Sequence, residues 1–389
     1  MTIDEAGRIV DVAPWAPPRD GLRVVDLRPA VLLPGLVDGH VHFPQTRIIG
    51  RASGPLLEWL ERSVFPEEAR FAEVGYAAAV APEFVHGMLR AGTTTAAIFS
   101  SSHPAATGVL FEELARSGMR ALAGLTLMDQ GCPEALRLPV EPALAACAEL
   151  CDRWHGHDRG RLCFAVTPRF AISCTRPLLE AAGRFAADRG LWVQTHTSEN
   201  VSEGAETLKV HPWGTDYLDV YDRAGLLGSR TLLAHAIHLS PSEWDRVAER
   251  QAKVAHCPDS NFFLGSGRMR LRDADDRGVP VALGTDVAAG RTFSMRRVMA
   301  SAYDNALCLE DRISPARLFR LATLEGAAAL GLGEVTGSLE PGKEADFVVL
   351  DVPEHVEGVE ALLAHLVFAN DETRVRRVAV RGRYLLPEE

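Results

Sequence analysis

Five side chains stand out for the chemistry their types and spacing allow: His40, His42, His196, His235 and Asp286. The first two lie in Asp38-Gly39-His40-Val41-His42, at the end of an apolar run. On a strand, residues i and i+2 point to the same face, so these imidazoles would stand side by side, spaced to chelate one ion. Imidazole suits zinc, and a catalytic zinc keeps one position open for water. A His-x-His pair alone is a weak signal, because it arises often by chance. It strengthens because His196 closes the run QTH, His235 closes LAH and Asp286 closes LGTD, each at the end of its own apolar segment. Four imidazoles and a carboxylate at the ends of separate segments predict one metal centre.

The elements that must position these groups follow from the period of the sequence. Eight short apolar segments recur: 31–42, 93–100, 121–129, 161–171, 191–199, 231–239, 252–261 and 279–289. Stretches of helical periodicity separate most of them, for example 73–90, 177–189, 241–250 and 268–277, often with a glycine just past the end where a C-cap belongs. Eight strand–helix alternations imply an α/β chain whose parallel strands close into a TIM (β/α)8 barrel, with the active site at the carboxyl ends of the strands. Residues 31–334 are assigned to this barrel. The chain ends differ: 4–30 reads as short β segments (RIVDV, RVVDL), and 335–386 reads as strands. Residues 1–30 and 335–389 are therefore expected to meet in a small β-sandwich. Two helical segments, 56–60 and 294–306, are placed at the pocket mouth.

Composition excludes several classes. The formal net charge is −11, which disfavours nucleic acid and anionic membrane as partners. Seven cysteines at irregular spacing, with no CxxC, point to reduced thiols and a cytoplasmic setting. No basic-plus-apolar leader opens the chain, and no run of 18 apolar residues occurs. The zinc-site signature of nucleic-acid deaminases, PCxxC, is also missing.

His-x-His after strand one, His after strands five and six, and Asp after strand eight resemble the amidohydrolase superfamily. GSLEPGKEADFVVLD (337–351) is similar to its closing β motif. The binuclear branch uses a lysine at the end of strand four; segment 161–171 has none, so the resemblance implies one metal per chain, as in the aminohydrolases. Further stretches resemble the guanine deaminase family: PGLVDGHVHFPQ (34–45), PLLEWLERSVFPEE (55–68), TPRFA (167–171), QTHTSENVSE (194–203), CPDSNFFLGSG (257–267) and LGTDVAAGRTFSM (283–295). The similarity spans roughly 24–351. It implies hydrolysis of guanine to xanthine and ammonia by a water on a single Zn2+, in a homodimer that acts on a small purine. Deamination of a related heterocycle (8-oxoguanine, a triazine or a pterin) is the alternative on the same fold.

The same resemblance implies individual roles. His40, His42, His196, His235 and Asp286 hold the metal. Glu199 carries a proton to ring N3, and Asp286 accepts one from the water. Gln45, Arg169, Phe170 and His235 bind substrate; Arg169 offers a rigid fork of donors for a carbonyl, and Gln45 offers both donor and acceptor. Trp59 and Phe263 are candidate walls. His103 and His238 read as structural, and His256 as a buried histidine with its hydrogen bonds satisfied. Only 39 residues precede His40, which implies a short N-terminal share of the small domain, and Gly39 stands where the family more usually has Thr.

Overall fold

The computed structural model describes residues 1–17, 23–51, 54–369 and 373–386. Eight parallel strands form its centre: β1 (Leu36–His42), β2 (Thr93–Phe99), β3 (Arg120–Gly124), β4 (Leu162–Pro168), β5 (Trp192–Thr197), β6 (Thr231–His235), β7 (Lys253–His256) and β8 (Val281–Leu283). Each pairs with the next in chain order. Two hydrogen bonds bring the first strand to the segment after the last: Asp286 N–H donates to His40 O at 2.8 Å, and His42 N–H to Val287 O at 3.2 Å. The result is the expected TIM barrel, very nearly closed. Gly39 sits at that closure, where a Cβ would come 2.6 Å from the Ala282 Cβ, so the strands approach as closely as a residue without a side chain permits.

The strands are buried along almost their whole length, as strands covered by helices on the outside and side chains within must be. Helices cover them. Arg176–Arg189 shows why such a segment starts and stops: Thr175 Oγ1 accepts from Leu178 N–H, Pro177 sits in the first turn, and Gly190 ends it at φ +62°. Pro241–Glu249 opens with a reciprocal capping box between Ser240 and Glu243. The stretch read as helix over 268–277 is shorter, Leu271–Asp275.

The chain ends meet in a small antiparallel sheet of Val31–Pro34, Phe347–Asp351, Arg374–Val380 and Arg383–Tyr384. A two-stranded hairpin, Thr2–Ile3 with Ile9–Asp11, lies against it through a cluster of Ile9, Ala345, Phe347, Val349 and Ala379. Three features depart from the sequence reading. The apolar run 31–42 is two strands, because Pro34-Gly35 breaks it: Val31–Pro34 pairs with Phe347–Asp351, and only Leu36–His42 enters the barrel. Residues 23–27 form no strand, and Val24 and Val25 are exposed. Val359–Phe368, inside the region read as strands, is a helix. Among the described residues no helix is long and apolar enough to cross a membrane.

Arg120, at the start of β3, joins the small sheet to the barrel. Its guanidinium is buried and pairs with Glu344 and with Asp346, the latter at 2.9 Å. Arg381 Nε donates to the same Glu344 at 2.7 Å.

Candidate active site

All five predicted ligand residues meet at the carboxyl end of the barrel. His40 Nε2 and His42 Nε2 lie 3.2 and 3.4 Å from Asp286 Oδ1, and His235 Nε2 lies 3.7 Å from Asp286 Oδ2. His42 Nε2 is 3.1 Å from His196 Nε2. Ligand atoms of His40, His196, His235 and Asp286 all fall within 4.8 Å of one another, a cluster that fits a metal ion. The spacing explains itself: His40 and His42 share a strand face, whereas His196, His235 and Asp286 sit where β5, β6 and β8 end. His235 (φ +72°) and Asp286 (φ +49°) are left-handed, a backbone state costing roughly 1–3 kcal/mol for such residues. That turn at the strand end aims their side chains across the barrel mouth.

The donor chemistry also suits a cation. Nε2 of His40 and of His235 are buried and make no hydrogen bond, and each would otherwise be costly. Two of the rings are held from behind: His235 Nδ1 faces Asn261 Oδ1 at 3.0 Å and His196 Nδ1 faces Arg169 O at 2.6 Å. Such contacts put the proton on Nδ1 and turn the Nε2 lone pair inward. Burial lowers the pKa of His40, takes His42 down to about 4, and together with the neighbouring imidazoles carries His196 well below its usual value. These three rings are therefore neutral, the form a metal binds. Asp286 is the opposite case: burial pulls its pKa up, but contacts with His40 and His42 outweigh that and hold it well below the usual range. Ser260 Oγ donates to its Oδ2 at 2.5 Å.

Above the cluster is a pocket that opens at the carboxyl end of the barrel and combines apolar walls with a few convergent polar groups, the make-up of a small-molecule site. His42, His196, His235 and Asp286 form its floor, with Glu199, Gln45, Arg169 and Phe170 around them and Leu56, Trp59, Leu60 and Leu264 as apolar walls. Glu199 is 3 % exposed, and Oε2 lies 3.4 Å from His235 Nε2 while Oε1 accepts from Ser266 Oγ at 3.1 Å. Burial, reinforced by the charge of Asp286, raises its pKa to about 8. A carboxyl group that holds its proton near neutrality, beside a charged carboxylate, is the pattern of a proton donor paired with a base.

The chain matches the amidohydrolase family model over residues 31–385. It is 40% identical to guanine deaminase of Escherichia coli over 333 residues, 85% of this chain and 75% of that one. A solved structure of E. coli guanine deaminase superposes with a TM-score of 0.95 at 36% identity, covering 100% of this chain and 92% of that chain. This chain belongs to the guanine deaminases of the amidohydrolase family. A guanine deaminase from C. acetobutylicum, solved with guanine bound in its active site, matches with a TM-score of 0.93 at 32% identity, over 98% of this chain and 93% of that one. Membership of the guanine deaminases makes this chain a hydrolase of C–N bonds.

Against that family background some positions read differently from the sequence. Trp59 does line the cavity, with Nε1 donating to Arg51 O at 2.7 Å, whereas Phe263 packs against the core and its neighbour Leu264 takes the wall. The 294–306 stretch is helical over Met295–Cys308 but lines a separate hollow, through Ala302, Asn305 and Ala306. His256 borders that hollow too, buried, and its Nδ1 lacks the partner expected of it. His238 is structural, bonded to Ser266 O at 2.8 Å.

Sequence reasoning missed four residues around the site. Asn261 and Ser260 orient His235 and Asp286. Glu203 is fully buried, lines the cavity and accepts from the backbone N–H of Glu199 at 2.8 Å, with Tyr217 Oη donating at 2.6 Å to its other oxygen. Glu68 is buried between Gln45 and Arg169. Asn261, Ser260 and Glu203 sit inside the quoted motifs CPDSN and SENVSE, and Glu68 closes FPEE; a buried acid or amide next to a functional residue was the available signal.

Proposed function

We propose that this chain hydrolyses guanine to xanthine and ammonia in the cavity above its histidine cluster. One observation carries the reading: in a chain of the guanine deaminase family, neutral imidazoles, a charged carboxylate and a protonated one converge under a pocket with an amide and a guanidinium on its wall. A zinc ion, one per chain, held by His40, His42, His196, His235 and Asp286, would supply a water of lowered pKa.

The other parts belong to side chains. Arg169 binds the O6 carbonyl of guanine, Gln45 a ring nitrogen, and Phe170 and His235 bound the ring, placing C2 over the floor of the site. Asp286 accepts a proton from the attacking water, and Glu199 delivers one to N3 as C2 becomes tetrahedral. The C2–N bond then breaks as Asp286 passes its proton to the departing amine, the second water proton goes to Glu199 and restores it, and ammonia and xanthine result. Leu56, Trp59, Leu60 and Leu264 keep bulk water from the reacting carbon, which strengthens each of these contacts. The seven free cysteines accord with a cytoplasmic enzyme, and a homodimer is the assembly proposed from the family resemblance.

Side-by-side steady-state assays test the substrate. The kcat/KM for guanine should exceed that for 8-oxoguanine, a pterin and an aminotriazine by tenfold or more. A chain that leaves guanine untouched and consumes one of the others refutes the assignment.

A further inference from the structure

Two polar groups on the cavity wall, Gln45 and Arg169, are not independent. They come from opposite sides of the barrel mouth, one just after β1 and the other just after β4, and a single carboxylate joins them. Glu68 Oε1 accepts from Gln45 Nε2 at 3.1 Å, and Glu68 Oε2 accepts from Arg169 Nη1 at 2.5 Å. Glu68 is 2 % exposed, and Gln45 and Arg169 are nearly as buried. On the other side of the amide, Ala288 N–H donates to Gln45 Oε1 at 3.1 Å. The Arg169 guanidinium lies 5.5 Å from the Phe65 ring centroid, in the same short helical run as Glu68.

This arrangement decides what the pocket presents. An amide can sit either way round, with carbonyl and NH2 exchanged. Here a carboxylate, which only accepts, faces the nitrogen, and a backbone N–H, which only donates, faces the oxygen. One orientation satisfies both. The amide therefore keeps one N–H for the cavity, and Arg169 keeps the donors that Glu68 does not take. Glu68 also neutralises the buried guanidinium, so the wall offers directed donors without a net charge. That suits a neutral purine edge bearing acceptors, such as a 6-oxo group and a ring nitrogen, better than an anionic ligand.

We propose that Glu68 is a positioning and specificity-determining residue: it fixes Gln45 and Arg169 as one rigid donor clamp for the acceptor edge of the substrate. It stands away from the proton path of Glu199 and Asp286, and it makes no contact with the metal cluster. The inference rests on the proposed deamination of guanine.

The test is the pair E68Q and R169M, singly and together, in the metal-replete enzyme. A glutamine at 68 has the same shape but carries an NH2 in place of one acceptor. That NH2 must face either the Gln45 amide nitrogen or the guanidinium, and both are donors. Losing one charge-assisted buried hydrogen bond corresponds to about ten- to hundredfold in binding. The expected result is a KM for guanine raised by that factor in E68Q, a kcat within about threefold, an unchanged pH profile and unchanged metal content. The double variant should be no more than about threefold worse in KM than R169M alone, because both changes disable one clamp. R169M alone should also melt at lower temperature than the double variant, since it leaves the Glu68 carboxylate buried without its cation.

An E68Q enzyme with wild-type KM, a fall in kcat with KM unchanged, or effects that multiply in the double variant would each overturn the role. If E68Q folds poorly, E68D, which keeps the charge on a shorter arm, must raise KM less than E68Q; the reverse order refutes the clamp. Wild-type enzyme separates the two claims. No turnover of guanine by the wild type sinks the proposed function, whereas normal turnover with an indifferent Glu68 sinks only this inference.

Discussion

Replacing Glu199 by glutamine removes a proton carrier and almost nothing else. Ser266 Oγ can still donate to the oxygen at the Oε1 position, and the backbone N–H of residue 199 still donates to Glu203, so the side chain should stay where it is. General acid–base groups contribute about 10²–10⁴-fold in rate. Glu199 is 3 % exposed, so no chain of bulk water stands ready to take over its proton transfer, and the upper half of that range applies: about 10³–10⁴-fold in kcat, or roughly 4–5.5 kcal/mol in the barrier. The assay follows the ultraviolet difference between guanine and xanthine, with metal content and thermal unfolding measured on the same preparation. Glu199→Gln should bind guanine with little change, keep its metal and its melting temperature, and lose turnover by that factor. A variant within tenfold of wild type, metal intact, refutes the proton-transfer role. Loss of the metal would instead make Glu199 a ligand or ligand support.

Three further outcomes follow from contacts away from the reacting carbon. Asn261→Ala removes the acceptor that holds His235 Nδ1 at 3.0 Å, and should weaken metal affinity or activity by about 10–100-fold, read by competition with a chromophoric chelator. Arg120→Met leaves Asp346 buried without its cation, and Glu344 with Arg381 alone, where the small sheet meets the barrel; a destabilisation of about 3–5 kcal/mol should appear as a lower denaturant midpoint, and an unchanged midpoint would show the Arg120 contacts to be dispensable. Acid should act at the same joint. Burial raises the pKa of Glu344, but the hydrogen bond from Arg381 and the charge of Arg120 outweigh it and leave the pKa below the ordinary 4.5. A depressed carboxylate stabilises the fold fully above its unfolded value, and that stability is lost as pH falls through the folded one. The denaturant midpoint of the wild type should therefore drop below about pH 4.5, and drop less in Glu344→Gln.

How much of this was legible in the sequence depends on whether a local rule controlled the residue. His40 and His42 were legible because a strand repeats every two residues, and any strand long enough to cross the barrel delivers both to one face. His196, His235 and Asp286 were legible because each ends an apolar run, and strand ends are where this fold opens. The split at Pro34-Gly35 was harder: an unbroken apolar run hides a change of sheet, and only the pairing of Val31–Pro34 with Phe347–Asp351 reveals it. Val359–Phe368 is apolar enough to pass for strand, and its helix is decided by packing against the barrel's outer helices. Glu68 was least accessible. Nothing in its spacing relates it to Gln45, 23 positions before it, or to Arg169, 101 positions after it, because the three meet only when the barrel closes.

The central claim is that one cation, held by residues 40, 42, 196, 235 and 286, drives hydrolysis of guanine. The most direct test strips the protein with a chelator and titrates zinc back while xanthine formation is measured at saturating guanine. Activity should be absent without metal, rise in proportion to zinc and level off at one equivalent per chain, with His196→Ala failing to recover. Full activity in the stripped protein, or a titration that leaves guanine unconverted after the site has filled, would contradict the account.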